Sequence, residues 1–153
     1  MFEIKKIKTA SLFPLISEIL ELGQNTRITV SGDSMYPFLR DGVDSVELTK
    51  GSFEQLYRGD IVMIQRADGH YVMHRLIRKN KDCFFMVGDA QQWVEGPLYP
   101  EQLIAVVTAI WRKDKRILCS NGLWRFLTGF WLYMRHFRYF FLKVHRQIRK
   151  VLK

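Results

Sequence analysis

The stretch SGDSMYP contains a serine, Ser34, that could act as a nucleophile. Gly32 allows a sharp turn and leaves space above the backbone, so Ser34 can expose its hydroxyl just past it. The Ser34 N–H would point into the same space, as an oxyanion donor does. Met35 and Pro37 would fix this turn from the core side, and with Gly32 they are the candidate substrate-binding residues. Gly-Asp-Ser is also a common turn sequence, so the stretch alone leaves nucleophile and turn as alternatives.

A histidine that could serve as the general base lies in the apolar stretch YVMHRLI, residues 71–77. Strand alternation puts His74 on one face with Val72 and Leu76. Burial on that face would keep the imidazole neutral and able to accept a proton. The alternative is a core histidine without a chemical role, the commoner fate of a single histidine on an apolar face. The neighbouring His70 lies beside the turn ADG and is expected to be solvated.

Two acids that could orient that imidazole follow in the stretch VGDAQQWVEGPLYP. Asp89 comes after an apolar run and a glycine, which puts its carboxylate at the end of a strand. Glu95 lies further along, in a loop. A carboxylate on the second ring nitrogen of His74 would hold the tautomer that proton transfer from serine requires. From the residues alone, either acid could equally be a solvated loop charge.

Short apolar runs separated by Gly and Asp turns must position these groups. Helical spacing of leucine and isoleucine predicts a helix over residues 10–22, which ends at Gly23. The pattern as a whole is typical of a mainly β protein: a compact, mostly antiparallel β-domain with helices only at its two ends. ADG should join the third and fourth strands as a hairpin. The predicted strands cover residues 27–31, 44–49, 60–65, 70–78, 83–87 and 103–111.

Composition and charge limit the classes of protein to which this chain can belong. The chain of 153 residues is 48% hydrophobic and 14% aromatic, which excludes a disordered protein and allows a domain with a real core. Cys83 and Cys119 form no CxxC spacing, so neither a disulfide framework nor a zinc site is predicted, and no cofactor is expected. Residues 1–110 carry 12 Lys and Arg against 14 Asp and Glu, a net charge of −2, whereas residues 111–153 carry 12 against one, a net charge of +11. The basic excess marks the last quarter as a separate functional segment.

Residues 121–153 interleave bulky aromatic side chains with Arg and Lys and contain no acid. Their most apolar part, LWRFLTGFWLYM, is short for a membrane span and contains Arg125. An amphipathic helix or helix pair on an anionic membrane surface fits best. Docking on the β-domain and nucleic-acid binding are the alternatives, and the density of large apolar groups disfavours nucleic acid. With no cleavable signal peptide and no clear transmembrane span, peripheral association with the cytoplasmic membrane is expected.

Taken together and in this order, the segments resemble the type I signal peptidases and their relatives, the self-cleaving SOS-type repressors. SGDSMYPFLRDG resembles the serine box of that family, RGDIVMI the strand box after it, and YVMHRLI the box that carries the general base. VGDAQQ resembles the family's Gly-Asp box, and LYPEQLIAVV resembles its closing strand. The resemblance covers roughly residues 27–111.

The resemblance implies the signal-peptidase β fold and a serine endopeptidase that cleaves a leader or precursor peptide bound as an extended strand. Most bacterial members have a lysine where this chain has His74, and a histidine followed by arginine resembles the endoplasmic-reticulum and archaeal type. By that resemblance Ser34 is the nucleophile and His74 the general base. Asp89 matches the orienting acid by identity and is the first choice, with Glu95 as the alternative. Phe38 replaces the family's usual threonine, which bears on the shape of the substrate pocket.

Three segments are predicted: an N-terminal helical segment over residues 1–26, a catalytic β-domain over 27–111, and the basic aromatic tail over 112–153. The main alternative function is a non-catalytic binding module on the same β fold, brought to a membrane by the tail. A self-cleaving regulator is disfavoured, because residues 1–26 are too short for a helix-turn-helix domain and neither Ala-Gly nor Cys-Gly occurs in the chain.

Overall fold

The computed structural model describes residues 9–151. Residues 1–8 of the predicted N-terminal segment and the last two residues of the predicted tail lie outside this part. Within it, one helix, eight strands and two further helices follow one another along the chain. Their bounds are α1 Thr9–Glu21, β1 Thr26–Thr29, β2 Asp44–Lys50, β3 Ile61–Gln65, β4 Tyr71–Lys79, β5 Phe84–Val87, β6 Glu95–Leu98, β7 Leu103–Arg112, β8 Lys115–Leu118, α2 Gly122–Tyr133 and α3 Arg135–Val151.

The strands form one antiparallel sheet, so the predicted mainly β fold with helices at its ends is confirmed. Neighbouring strands follow the order β1-β2-β7-β3-β4-β5-β6, and β8 pairs with β7. The long strand β7 is central because it pairs with β2, β3 and β8. The hairpin predicted at ADG joins β3 and β4, with Gly69 at a φ of 86° and the Arg66 N–H donating to the His70 carbonyl at 2.8 Å.

Side-chain alternation along β3 divides the apolar core into two clusters. Ile61 and Met63 belong to one cluster, and Val62 and Ile64 belong to the other. Helix α1 packs on the first cluster and buries Ile16 there. Because β3 is buried on both faces, it and its partner β4 form a rigid base for the side chains that β4 carries.

Two short strands differ from the sequence prediction. β6 lies in the segment predicted as a loop, and β8 lies in the predicted tail. β6 has four residues, contains Pro97 and is the last strand of the sheet order, where a missing N–H costs little. β8 returns along β7 after a turn at Lys113, whose φ is 56°. The sheet therefore continues to Leu118, past the predicted boundary at residue 111.

The tail forms the predicted helix pair, and one side of it docks on the β-domain. Asn121 caps α2 by accepting the Trp124 N–H at 3.2 Å. Trp124, Leu132 and, in α3, Arg138 are buried, whereas many large apolar side chains on the other side are exposed. Among the described helices, none combines the length and the apolar character that crossing a membrane requires.

Candidate active site

Ser34 lies in a series of turns that follows β1. Gly32 has a φ of 91°, a left-handed conformation that favours glycine. The Gly32 N–H donates to the Asp41 carboxylate at 2.9 Å, and the Tyr36 N–H donates to the Asp33 carbonyl at 3.1 Å. These bonds fix the backbone on both sides of Ser34 and leave its side chain half-buried.

The loop between β5 and β6 supports Ser34 through its backbone. The Ala90 N–H donates to the Ser34 carbonyl at 2.9 Å. Gly88 lies so close that a Cβ atom there would be 2.6 Å from the same carbonyl oxygen. Only glycine fits at this close approach of two backbones, which is the physical reason for the glycine in VGDAQQ.

Ser34 and His74 line one pocket, with a volume of about 260 Å³. Gly32 and Met35 also line it, whereas Pro37 lies in the adjoining turn and is not among the lining residues. In the part of the chain that the structure describes, no hydrogen bond joins the Ser34 hydroxyl to the His74 ring. In enzymes, the hydrogen bond between a nucleophile and its general base often forms or shortens only in the complex with substrate. The structure thus brings the predicted nucleophile and base to one cavity.

His74 has 3% of its surface exposed and pairs in register with Val62 of β3. Burial lowers the pKa of the imidazole, and the charge of Glu95 acts more weakly in the opposite direction. The ring is therefore neutral at pH 7, as a general base must be. Its Nδ1 atom has no hydrogen-bond partner and lies 3.6 Å from Oε2 of Glu95.

Glu95, the first residue of β6, is held in place by a cation. Arg66 donates from Nε to Oε1 at 2.5 Å and from Nη2 to Oε2 at 2.9 Å. This bidentate pair lowers the pKa of Glu95, so its carboxylate is ionised at neutral pH. A shift of a few tenths of an ångström would complete a hydrogen bond from His74 Nδ1 to Glu95. An ionised acid therefore lies beside the neutral base.

Asp89, the first choice as orienting acid, is engaged elsewhere. Its two oxygens accept from Nε and Nη2 of Arg75 at 2.8 and 2.6 Å, and both side chains are almost completely buried. Arg75 follows His74 along β4, so alternation directs the two side chains to opposite faces of the strand. Each acid is paired with an arginine, but only Glu95 lies near the imidazole: its Oε2 is 3.6 Å from His74 Nδ1, whereas no ion pair or hydrogen bond joins Asp89 to His74 among the described residues. The contacts therefore favour Glu95 over Asp89 as the acid that orients His74.

The sequence prediction assigned no role to the two arginines of these pairs. Arg66 follows the apolar run of β3, and Arg75 lies within β4. Arg75 is buried, and a buried charge must find an opposite charge or hydrogen-bond partners, since burying it alone is costly. That requirement could have predicted an acid partner for Arg75, but not which acid, and Arg66, which is 37% exposed, is under no such requirement.

Side chains of the tail also reach the site. Trp131 Nε1 donates to the Asp89 carbonyl at 2.9 Å, and the Arg138 guanidinium donates to two further carbonyls of the same loop. The Tyr36 hydroxyl and Nε2 of His145 are 3.0 Å apart, and their rings stack. These contacts join residues from 42 to 109 positions apart, so no local spacing in the sequence signals them.

The pocket offers a hydroxyl from Ser34 and a neutral imidazole from His74, and the carboxylate of Glu95 lies beside that imidazole. Within residues 9–151, no group of three or more His, Cys, Asp or Glu side chains is placed to hold a metal ion. The chain matches no known protein-family model and no curated protein.

Proposed function

We propose that this protein is a serine endopeptidase of the signal-peptidase type, which cleaves a leader or precursor peptide through an acyl-enzyme. One observation carries the proposal: Ser34 and His74 line a single pocket, and ionised Glu95 lies 3.6 Å from the far ring nitrogen of His74. These are the groups of a Ser-His-acid site, recognised by geometry rather than by position in the chain. The family resemblance of residues 27–111 supports the same function.

In this mechanism His74 Nε2 takes the proton of the Ser34 hydroxyl while the oxygen attacks the substrate carbonyl. The Ser34 N–H donates to the oxyanion, and Glu95 stabilises the imidazolium. His74 then gives the proton to the leaving amine as the peptide bond breaks, which leaves an ester on Ser34. Water, deprotonated by His74, hydrolyses that ester. A positioned base contributes roughly 10²–10⁴-fold and one oxyanion donor about 10²–10³-fold.

The strand that carries the base offers an edge to an extended peptide. Among the described residues, β3 pairs with β4 from Tyr71, whereas β5 pairs with it only from Arg75 onward. Residues 71–74 therefore have one edge without a partner strand, and they lie at the pocket together with Gly32. Main-chain groups on such an edge can pair with a substrate strand, while pockets select its side chains.

The proposal includes peripheral contact of the tail with an anionic membrane surface. Exposed apolar side chains recur at helical spacing on both tail helices, and each is at least 40% exposed: Leu123, Phe126, Leu127 and Phe130 on α2, and Phe137, Phe141, Val144, Ile148 and Val151 on α3. Exposed apolar side chains repeated along a helix are favourable in the headgroup region of a bilayer. The preference for anionic lipid rests on the net charge of +11 over residues 111–153.

The nucleophile is tested by treating the full chain with a fluorophosphonate and with a peptide aldehyde, and measuring covalent labelling by mass spectrometry. We expect labelling of the wild type, none of Ser34→Ala and strongly reduced labelling of His74→Ala. Ser120→Ala, which removes an exposed serine outside the pocket, should be labelled like the wild type. Labelling that survives Ser34→Ala, or a wild type that neither probe labels, would contradict the proposal and favour the binding module.

A further inference from the structure

The tail holds the loop at residues 88–91 by its backbone. Trp131 of α2 donates from Nε1 to the Asp89 carbonyl at 2.9 Å. Arg138 of α3 donates from Nη2 to the Gly88 carbonyl at 3.0 Å and also to the Gln91 carbonyl. Three of the four carbonyls in this loop therefore accept hydrogen bonds from side chains outside the sheet.

The same loop holds the nucleophile. Its Ala90 N–H donates to the Ser34 carbonyl at 2.9 Å, and Gly88 lies against that carbonyl without room for a side chain. Gln91 lines the pocket together with Ser34. A displacement of the loop would therefore change both the position of the Ser34 backbone and one wall of the pocket.

The burial of Arg138 costs free energy, and a contribution to stability does not account for it. Its side chain is 0% exposed, and its Nε and Nη1 atoms have no hydrogen-bond partner. Burial lowers the pKa of the guanidinium to about 10, so it stays charged at pH 7. The nearby Asp89 is already paired with Arg75. Buried donors without partners destabilise a fold, so the buried Arg138 guanidinium needs an explanation other than stability.

We infer that Arg138 is a positioning residue, through which the tail holds residues 88–91 against Ser34 and so completes the active site. The inference rests on the proposed function for its consequence on rate, but not for the contact itself. The tail is in this view a part of the catalytic unit as well as a membrane-facing segment. A displacement of about 1 Å at a reacting group can cost 10²-fold in rate.

The first test compares Arg138→Met with Lys143→Met, an exposed cation of the same helix. We expect Arg138→Met to lower kcat roughly 10- to 100-fold on a soluble peptide substrate with little change in KM. Its stability in urea should be unchanged or higher, because a buried cation is removed. Lys143→Met should resemble the wild type in both. A folded Arg138→Met enzyme with wild-type kcat would overturn the inference.

Chemical rescue separates positioning from general packing. Millimolar guanidinium should restore kcat to Arg138→Ala by occupying the space of the lost group, whereas neutral urea at the same concentration should not. Rescue by neither compound, or by both equally, would contradict a role for the guanidinium. If Arg138→Ala does not fold, Arg138→Lys serves instead, with kcat expected between those of the wild type and Arg138→Met; equality with the wild type would overturn the inference.

Backbone exchange tests the contact independently of catalysis. Hydrogen–deuterium exchange over residues 88–91 should become faster in Arg138→Met and stay unchanged in Lys143→Met. If the wild type is not labelled by serine probes but exchange behaves in this way, the proposed function fails while the loop contact stands. If serine labelling succeeds and exchange is unaltered in Arg138→Met, the inference fails while the proposed function stands.

Discussion

The cleft of the candidate site, around Ser34 and His74, and the tail helices differ in how their charges are paired. Around the pocket, the charges are paired within the sheet: Asp89 with Arg75, and Glu95 with Arg66. In the tail helices, the buried Arg138 contacts backbone carbonyls, and among the described side chains no Lys or Arg of α2 or α3 forms an ion pair. The tail helices also expose many large apolar side chains.

This difference indicates that the two regions have different partners. Paired charges hold the geometry of the cleft from within, so its side chains are positioned without help from outside the protein. Exposed cations are solvated by water, whereas exposed apolar groups become more stable when a partner or a membrane covers them. The tail has two such contacts in our proposals, the loop at residues 88–91 on one side and a membrane surface on the other.

The largest expected effect concerns the buried pair of the cleft. Asp89→Asn should lower the free energy of unfolding by about 3–5 kcal/mol, because it leaves Arg75 buried without its counter-charge. Urea unfolding followed by circular dichroism measures this loss. The exposed Asp82→Asn is the control and should change stability by no more than about 0.5 kcal/mol. A loss below about 1 kcal/mol for Asp89→Asn would show that this pair does not organise the cleft.

Glu95, the other acid of the cleft, should matter more for turnover than for stability. Glu95→Gln should lower kcat by roughly 10²-fold or more, since His74 loses the charge that stabilises its protonated form. Its stability should fall by no more than about 1 kcal/mol, because the partner Arg66 is 37% exposed. Turnover and urea unfolding are measured on the same preparation, with the exposed Glu101→Gln as control. Full turnover in Glu95→Gln would remove it from the mechanism.

The outer side of the tail is tested by changing two of its aromatic side chains together. Phe137→Ser with Phe141→Ser should weaken sedimentation with vesicles of phosphatidylglycerol and phosphatidylcholine at least about tenfold, since each ring loses favourable burial. Stability should not change, because both rings are exposed. Tyr57→Ser removes an equally exposed ring far along the chain and should bind like the wild type. Wild-type protein that sediments with neither anionic nor neutral vesicles would refute membrane contact.

The smallest effect is the pH dependence of the cleft. Burial lowers the pKa of His74 below 6.5, with Glu95 and Asp89 opposing this shift and Arg66 adding to it. Protonation therefore removes the base only below pH 6.5, so kcat/KM at pH 6.5 should exceed half of its plateau. A pH profile with a soluble peptide measures the midpoint. A midpoint above 6.5 assigned to His74 would contradict the neutral buried imidazole.

Local patterns predicted much of the fold. The helix α1, six of the strands and the ADG hairpin follow from spacing and turn residues, and the structure confirms them. β6 was hidden because EGPL has four residues, one of them proline. β8 was hidden because KRIL has the same basic and apolar composition as the tail that follows it.

The site could be predicted only where a residue type is informative by itself. A serine after a glycine turn and a histidine in an apolar strand indicate chemistry, and the structure places Ser34 and His74 at one pocket. The choice between Asp89 and Glu95 depends on where Arg75 and Arg66 reach, which local sequence does not encode. The burial of Arg138 has no sequence signal, since Arg146 of the same helix has similar neighbours and is exposed.

The width of helix α3 limits the distance between its exposed apolar stripe and the loop at residues 88–91. Arg138 contacts the loop at residues 88–91 from one side of this helix, and Val144, about 120° around the helix axis from it, is exposed on another. A helix with its side chains is about 10–12 Å across, and an extended chain advances about 3.3 Å per residue. With the exposed stripe at the bilayer surface, the loop at residues 88–91 would lie at most about three to four residues of extended peptide above it. If the proposed peptidase activity and membrane contact both hold, a precursor would be cut within a few residues of the point where it leaves the membrane.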